Sequence, residues 1–217
     1  MKLFLIFIFT SLISIAGNAQ DSTHGKFFIT TGYGLAGSFF VRSYDEFIPT
    51  SNYKIYQKKN FIGNAQNAAI GYKLRNNWDV RFGINFQHFT RHIDTRDTLS
   101  GVLLINYGTI HHRDYMWYGS VHKSYHRKKH ALSGGMGLFY FRPKQQEIDI
   151  IQPRFYSNIE RDIHRGNLEE GGAFIEFAYE YDFQPKVKLG VKTQFYYTLS
   201  TGTPESVTLM PTIKILF

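Results

Sequence analysis

The sequence of 217 residues contains no cysteine, which excludes a disulfide scaffold and any metal site built from thiolates. It also lacks long hydrophobic runs: beyond Gln20 no unbroken apolar stretch exceeds four residues, as in Val102 to Ile105 and Leu138 to Phe141. A membrane-crossing helix needs about 20 apolar residues, so no helix here can span a bilayer. Three catalytic signatures are missing as well: the Gly-x-Ser-x-Gly elbow, the His-Glu-x-x-His zinc helix and the phosphate-cradling glycine loop. Charged residues make up only 19% of the chain, against 43% hydrophobic and 17% aromatic, and the mean hydropathy is -0.28. The apolar residues are therefore plentiful but dispersed, and how they are dispersed is the informative feature.

The one dense apolar segment is at the start. Met1-Lys2 supplies a positive charge, Leu3 to Ala16 is apolar except for Thr10, Ser11 and Ser14, and Gly17-Asn18-Ala19 offers small residues for cleavage. This is the pattern of a secretory signal peptide over residues 1–19, which leaves 20–217 as the mature domain. As an anchor it would reach only ~21 Å of a ~30 Å hydrocarbon core. The formal net charge of +8 would ordinarily point to nucleic acid or an anionic surface, and export argues against cytoplasmic nucleic acid.

Elsewhere the apolar residues alternate. From Val80 to Gln87, Val80, Phe82, Ile84 and Phe86 share one face, and Arg81, Gly83, Asn85 and Gln87 share the other. The pattern recurs with Val187, Leu189, Val191, Phe195 and Tyr197 opposite Lys188, Gly190, Lys192, Gln194 and Thr198, where Thr193 and Tyr196 are exceptions. It recurs again with Ile175, Phe177, Tyr179, Tyr181 and Phe183 against Glu176, Ala178, Glu180 and Asp182. Sustained period two is strand geometry, and it predicts eight strands at 26–41, 63–75, 79–91, 113–126, 130–142, 172–183, 187–199 and 207–217. Connections alternate between short (76–78, 127–129, 184–186) and long (42–62, 92–112, 143–171), with 200–206 a short member of the second set. Short periplasmic turns and long external loops are what an even-stranded outer-membrane barrel requires. Aromatics gather accordingly: Phe27, Tyr72, Trp78, Tyr181, Phe183 and Phe217 at the expected periplasmic ends, and Phe39, Tyr115, Trp117, Tyr140 and Tyr197 toward the other. A secreted soluble barrel, with its apolar face turned inward, is the competing arrangement.

The last strand places Val207, Leu209, Pro211, Ile213, Ile215 and Phe217 on one face and stops on Phe217. Such a strand resembles the C-terminal signal that outer-membrane proteins present to the barrel assembly machinery, although Pro211 removes one ladder donor. With its signal peptide and eight strands the chain resembles the small outer-membrane barrels typified by the OmpA transmembrane domain and OmpX. That resemblance implies an all-β fold, an eight-stranded antiparallel transmembrane barrel in the bacterial outer membrane. It names no activity.

Eight strands enclose a lumen that side chains just fill. The face expected to line it carries Arg81, Glu176, Glu180, Asp182, Lys188, Lys192 and Lys214, and charges in such an interior need partners. A turn at 184–186 sets Phe183 opposite Val187 and Asp182 opposite Lys188, with Glu176 and Glu180 diagonal to Lys192. Setting Tyr197 opposite Leu209 would also oppose Lys192 to Lys214, a like-charge pair needing those glutamates. A salt-bridged plug that fixes register is the expectation.

Of nine histidines, His122, His126 and His130 straddle a predicted hairpin with Lys123 and read as an interfacial basic belt; His111-His112 and His88 with His92 fall on the outer side. No cofactor or metal is expected. His122-Lys123-Ser124 formally matches the His-x-Ser element of lipid A deacylases, but Tyr125 follows it where that family has a small polar residue. The expected role is structural or loop-mediated binding rather than a general pore or an enzyme. The alternatives are a lipid A-modifying barrel or an accessory barrel of a secretion system. Partners follow from location: outer-membrane lipids and lipopolysaccharide, the assembly machinery, and an external protein met by the loops, with the barrel a monomer. Two loops stand out, the basic, aromatic Tyr53, Lys54, Tyr56, Lys58 and Lys59, and the apolar segment with Ile148, Ile150, Ile151, Phe155, Tyr156 and Ile159, expected to present a sheet edge.

Overall fold

Alternating side chains can bury one face of a sheet and leave the other to lipid only if the sheet closes on itself, because an open edge in a bilayer strands unpaired backbone groups. The computed structural model, described over residues 26–39, 53–58, 62–97, 103–145, 147–151, 158–162, 170–200 and 202–217, closes in this way. Its strands are β1 (Phe27–Ser38), β2 (Tyr53–Lys58), β3 (Ile62–Lys73), β4 (Trp78–Asp97), β5 (Leu103–Arg127), β6 (His130–Gln145), β7 (Glu147–Ile151), β8 (Asn158–Asp162), β9 (Glu170–Gln184), β10 (Val187–Thr198) and β11 (Thr203–Leu216). Around the wall the order is β1-β3-β4-β5-β6-β9-β10-β11, every pairing is antiparallel, and β11 returns to β1 with Phe28 opposite Leu216. Eight strands thus make the barrel, β2 extends the sheet beside β4, and β7 with β8 forms a separate hairpin. The signal segment at 1–19 lies outside the described residues.

The wall is apolar outside and polar inside. All eight strands expose large apolar side chains, for example Ile29, Ile70, Ile84, Val121, Met136, Phe177, Val191 and Ile213. Inward positions are buried and largely polar, including Arg81, Asn85, Gln87, Glu176, Lys192 and Gln194. A soluble barrel would have the opposite polarity, because apolar patches of this extent are not left facing water.

Besides β2, β7 and β8, which form within expected loops, the structure departs from the expected strands in length and register. Much of the segment expected as a loop at 92–112 is strand: β4 continues to Asp97 and β5 begins at Leu103, since Ile93, Thr95, Ile105, Tyr107 and Thr109 have the β-branched and aromatic character that favours strands, while 98–102 lie outside the described residues. The turn after β10 is also tighter than expected, with Thr198 already opposite Thr203, so Lys192 faces Met210 and it is Lys188 that opposes Lys214. A register shift between Val187 and Lys188 likewise places Val187 opposite Gln184 rather than Phe183, while Asp182 does oppose Lys188.

The lumen is filled by pairing bulk against glycine across the ladders. Phe28 faces Gly71, His122 faces Gly135, Phe139 faces Gly172 and Phe174 faces Gly137. In each pair a β-carbon on the glycine would fall inside the van der Waals envelope of the opposing ring. Two consequences can be measured. Unboiled protein extracted from membranes should migrate differently from boiled protein on electrophoresis, as a detergent-resistant barrel does. Gly71→Ala and Gly135→Ala should each destabilise that form by about 1–3 kcal/mol, the usual cost of overpacking, read as a lower temperature of band conversion.

Candidate functional site

Alternation sends Asp79 and Arg81 of β4, Ser120 and His122 of β5, and Glu176 and Glu180 of β9 into the lumen. At its centre is Arg81. Its Nε and Nη2 donate to the two Asp79 carboxylate oxygens at 2.6 and 3.2 Å, and its Nη1 donates to Glu176 Oε1 at 2.8 Å. The fork is used bidentately on one acid and singly on another, a geometry lysine cannot supply. Glu176 Oε2 accepts from Gln194 Nε2 at 2.8 Å and lies 3.9 Å from Lys192 Nζ. Lys214 donates to both oxygens of Glu180, at 2.9 and 3.2 Å, and Lys188 pairs with Asp182 at 2.7 Å. Of the seven charges expected to line the lumen, Arg81, Glu176, Glu180, Lys188, Lys192 and Lys214 are buried, whereas the Asp182 side chain is 38% exposed; Asp79, Asp114 and Glu205 are buried as well. The cations Arg81, Lys188, Lys192 and Lys214 are matched by the carboxylates Asp79, Glu176, Glu180 and Asp182. Phe28 supplies the remaining support, with Lys214 Nζ 4.2 Å and the Arg81 guanidinium carbon 5.7 Å from its ring centroid.

Beyond the charges lies a belt of amides and phenols. Asn67 Oδ1 accepts from Lys192 at 2.5 Å, Asn67 and the Tyr118 hydroxyl exchange bonds at 3.0 and 3.1 Å, and Asn85 donates to the Tyr196 hydroxyl, which donates on to Gln194. Tyr118, Tyr196, Phe139, Phe141, Phe174, Met116 and Ala69 then form a buried apolar cluster inside the barrel. Tyr196, one of the two exceptions to alternation in β10, is buried here against Phe174, with ring centroids 5.3 Å apart.

Histidine placement corrects one expectation. His122 does not join the interfacial belt; it is fully buried, its Nε2 lies 2.9 Å from Ser120 Oγ and its Nδ1 is 3.7 Å from Glu176 Oε1. The parity of β5 decides this, because His122 shares the inward face with Ser120 and Tyr118. His126 and His130 are exposed near the turn, and His88 and His111 meet on the outward face with Nε2 to Nδ1 at 3.1 Å. His112 Nε2 lies 2.7 Å from the buried Asp114. Among the described residues no group of three or more His, Cys, Asp or Glu side chains is arranged to hold a metal ion. Phe217 closes β11 against β1, its backbone N–H donating to Phe27 O at 3.0 Å while its ring stays exposed on the lipid face.

A closed antiparallel wall of eight strands, apolar toward lipid and filled with paired charges, defines a small transmembrane β-barrel of the bacterial outer-membrane kind. No family model and no curated protein sequence matches the chain. Among solved structures it is similar to Neisserial surface protein A, at 11% identity over 88% of this chain and 97% of that one, with a TM-score of 0.51. It is similar too to Ail, the attachment invasion locus protein of Yersinia pestis, solved with the heparin analogue sucrose octasulfate, at 10% identity over 90% and 100% of the two chains, with a TM-score of 0.50. At such identity the likeness is one of fold, and the fold is that of small outer-membrane barrels.

Arg81 offers the sharpest test of the lumen. Arg81→Ala leaves Asp79 and Glu176 buried without their shared counter-ion, a loss of about 3–5 kcal/mol. Denaturant titration of the detergent-folded barrel should show this, with Arg81→Lys intermediate because a single ammonium cannot serve both acids.

Proposed function

We propose that this barrel is non-enzymatic and acts by binding a protein outside the cell, with the edge of strands that continue past the membrane as the contact. The observation that carries this reading is the length of β4 and β5. A strand crosses the outer membrane in about 9–11 residues, whereas β4 has 20 and β5 has 25. Both begin or end at a short turn on one side, Trp78 and Arg127, so the surplus lies on the loop side. There β2 covers one side of β4, from Tyr53 opposite Asp97 to Lys58 opposite His92. On the other side β6 follows β5 only as far as Gln145 opposite His112. Among the described residues, Leu103 to Ile110 therefore has no strand on its far side. This edge includes Leu103, Leu104, Ile105, Tyr107 and Ile110, and a long apolar edge accepts an added strand through main-chain hydrogen bonds.

We assign the contact to β5 in preference to the segment 143–171, of which 147–151 and 158–162 pair with each other as β7 and β8 and 146, 152–157 and 163–169 lie outside the described residues. The filled lumen supports a role other than a general pore. The buried position of His122 argues against lipid A deacylation, since a lipid-facing site cannot use a side chain turned into the barrel. Barrel in lipid nanodiscs should bind at least one member of a panel of purified matrix and serum proteins in surface plasmon resonance, and the edge-breaking pair Ile105→Lys and Ile110→Lys should abolish that binding while leaving the heat-dependent band shift intact. Equal binding by the variant, or none by the parent, would overturn the reading. Deleting the gene should leave the mass of lipid A unchanged; a shift by one acyl chain would restore the enzymatic alternative.

A further inference from the structure

The β5–β6 hairpin has no acidic residue from Tyr115 to Gln146, yet its turn end carries Lys123, Arg127, Lys128 and Lys129 together with His126 and His130. The other two turns of that rim are less charged, with Lys73 and Arg75 at one and Lys186 at the other. All six basic side chains of the β5–β6 turn end are exposed. They stand among aromatics suited to the headgroup level: Lys123 Nζ lies 5.1 Å above the Trp78 ring and donates to Asn76 O at 2.5 Å, and His130 bonds the Tyr179 hydroxyl at 2.6 Å. Tyr125 between them is 70% exposed. The neighbouring acid, Asp182, receives the turn through its backbone N–H to Lys129 O at 2.8 Å, but its carboxylate is held by Lys188.

The turn backbone adds an independent sign. Lys128 has φ +55°, a left-handed conformation that lysine disfavours and that glycine or asparagine adopts readily. The turn between β3 and β4 fills its two such positions with Asn76 and Asn77. At the tip of β5–β6 a charged residue takes such a position at a conformational cost.

We propose that the turn end of the β5–β6 hairpin is a binding site for an anionic phospholipid headgroup of the leaflet into which the short turns project, with Lys123 and Arg127 on the outer wall and Lys128 and Lys129 at the tip meeting its phosphate. The site holds one side of the barrel to that leaflet rather than ringing it evenly.

The test uses the full barrel in nanodiscs of equal phosphatidylglycerol and phosphatidylcholine, with the lipids retained after detergent release counted by native mass spectrometry. Wild type should retain phosphatidylglycerol over phosphatidylcholine by roughly tenfold, falling at 1 M salt. The quadruple variant K123Q/R127Q/K128Q/K129Q should lose the preference, whereas Lys186→Gln should keep it. Lys128→Asn should convert its heat-resistant band at a temperature no lower than wild type, yet retain less phosphatidylglycerol, which separates binding from folding. Equal retention of both lipids by wild type, an unchanged preference in the quadruple variant, or selection of lipopolysaccharide over phosphatidylglycerol in mixed discs would each overturn the assignment.

Discussion

Arg81 is the group on which the interior depends. A barrel of eight strands leaves no water-filled channel in which charges can be solvated singly, so the lumen cations each lie beside a carboxylate on another strand or a near neighbour. Arg81 satisfies Asp79 on its own strand and Glu176 across the lumen at once. Glu176 is then free to receive Gln194 and stand near Lys192 through its other oxygen. Because Glu176 is on β9 and Arg81 on β4, the contact ties non-adjacent walls of the barrel, which backbone ladders between neighbours cannot do. Breaking one partner of such a group is costly, while the intact set contributes more to register than to net stability.

Register is visible in how like charges are tolerated. Lys188 and Lys214 lie directly opposite on β10 and β11, an unfavourable pair taken alone. Each is drawn to a different carboxylate of β9, Asp182 for Lys188 and Glu180 for Lys214. A slide of either strand by two residues would keep every side chain on its proper face but would separate these partners. Hydrophobic alternation therefore fixes which face points inward, and the ion pairs fix which residues sit side by side. The ring-on-glycine pairs act in the same direction, since Phe28, His122 and Phe174 each fit only where the neighbouring strand offers a glycine.

The wall was legible in the sequence because lipid outside and charge inside enforce period two, as from Val80 to Gln87. The pattern blurs where both faces are apolar: in the run Leu138 to Phe141, Leu138 and Tyr140 face lipid while Phe139 and Phe141 pack in the lumen, and alternation alone cannot say which is which. Asp79 was within reach, because it shares Arg81's parity, but it sits at the very start of β4, where strand limits are poorly defined by pattern. His122 was obscured by a competing signal, the cluster of basic residues around it, although its parity with Ser120 and Tyr118 points inward. The Lys192–Lys214 opposition failed for another reason: the residues linking β10 to β11 contain Gly202 in a left-handed conformation, φ +67°, which permits a tighter turn than a loop to Val207. The length of β4 and β5 was hidden because strands beyond the membrane need no lipid face, so their alternation is weaker.

Strand β5 joins the two ends of the molecule. It runs from Leu103 to Arg127, taking in an outer end that has β4 as its one strand neighbour among the described residues, the inward Asp114, Met116, Tyr118, Ser120 and His122, and the cationic turn. A strand paired on both sides through its middle behaves as a stiff rod there, with β4 pairing from Trp78 opposite Lys123 and β6 from His112 opposite Gln145 to Arg127 opposite His130. Its tilt in the wall consequently sets the direction in which the outer edge points, and the lumen contacts of Ser120, His122 and Tyr118 hold that tilt. At Tyr118 or His122 a change in size would displace the facing Gly83 or Gly135 strand. The middle of β5, paired on both sides and packed into the lumen, is thus the part of the strand that keeps the fold.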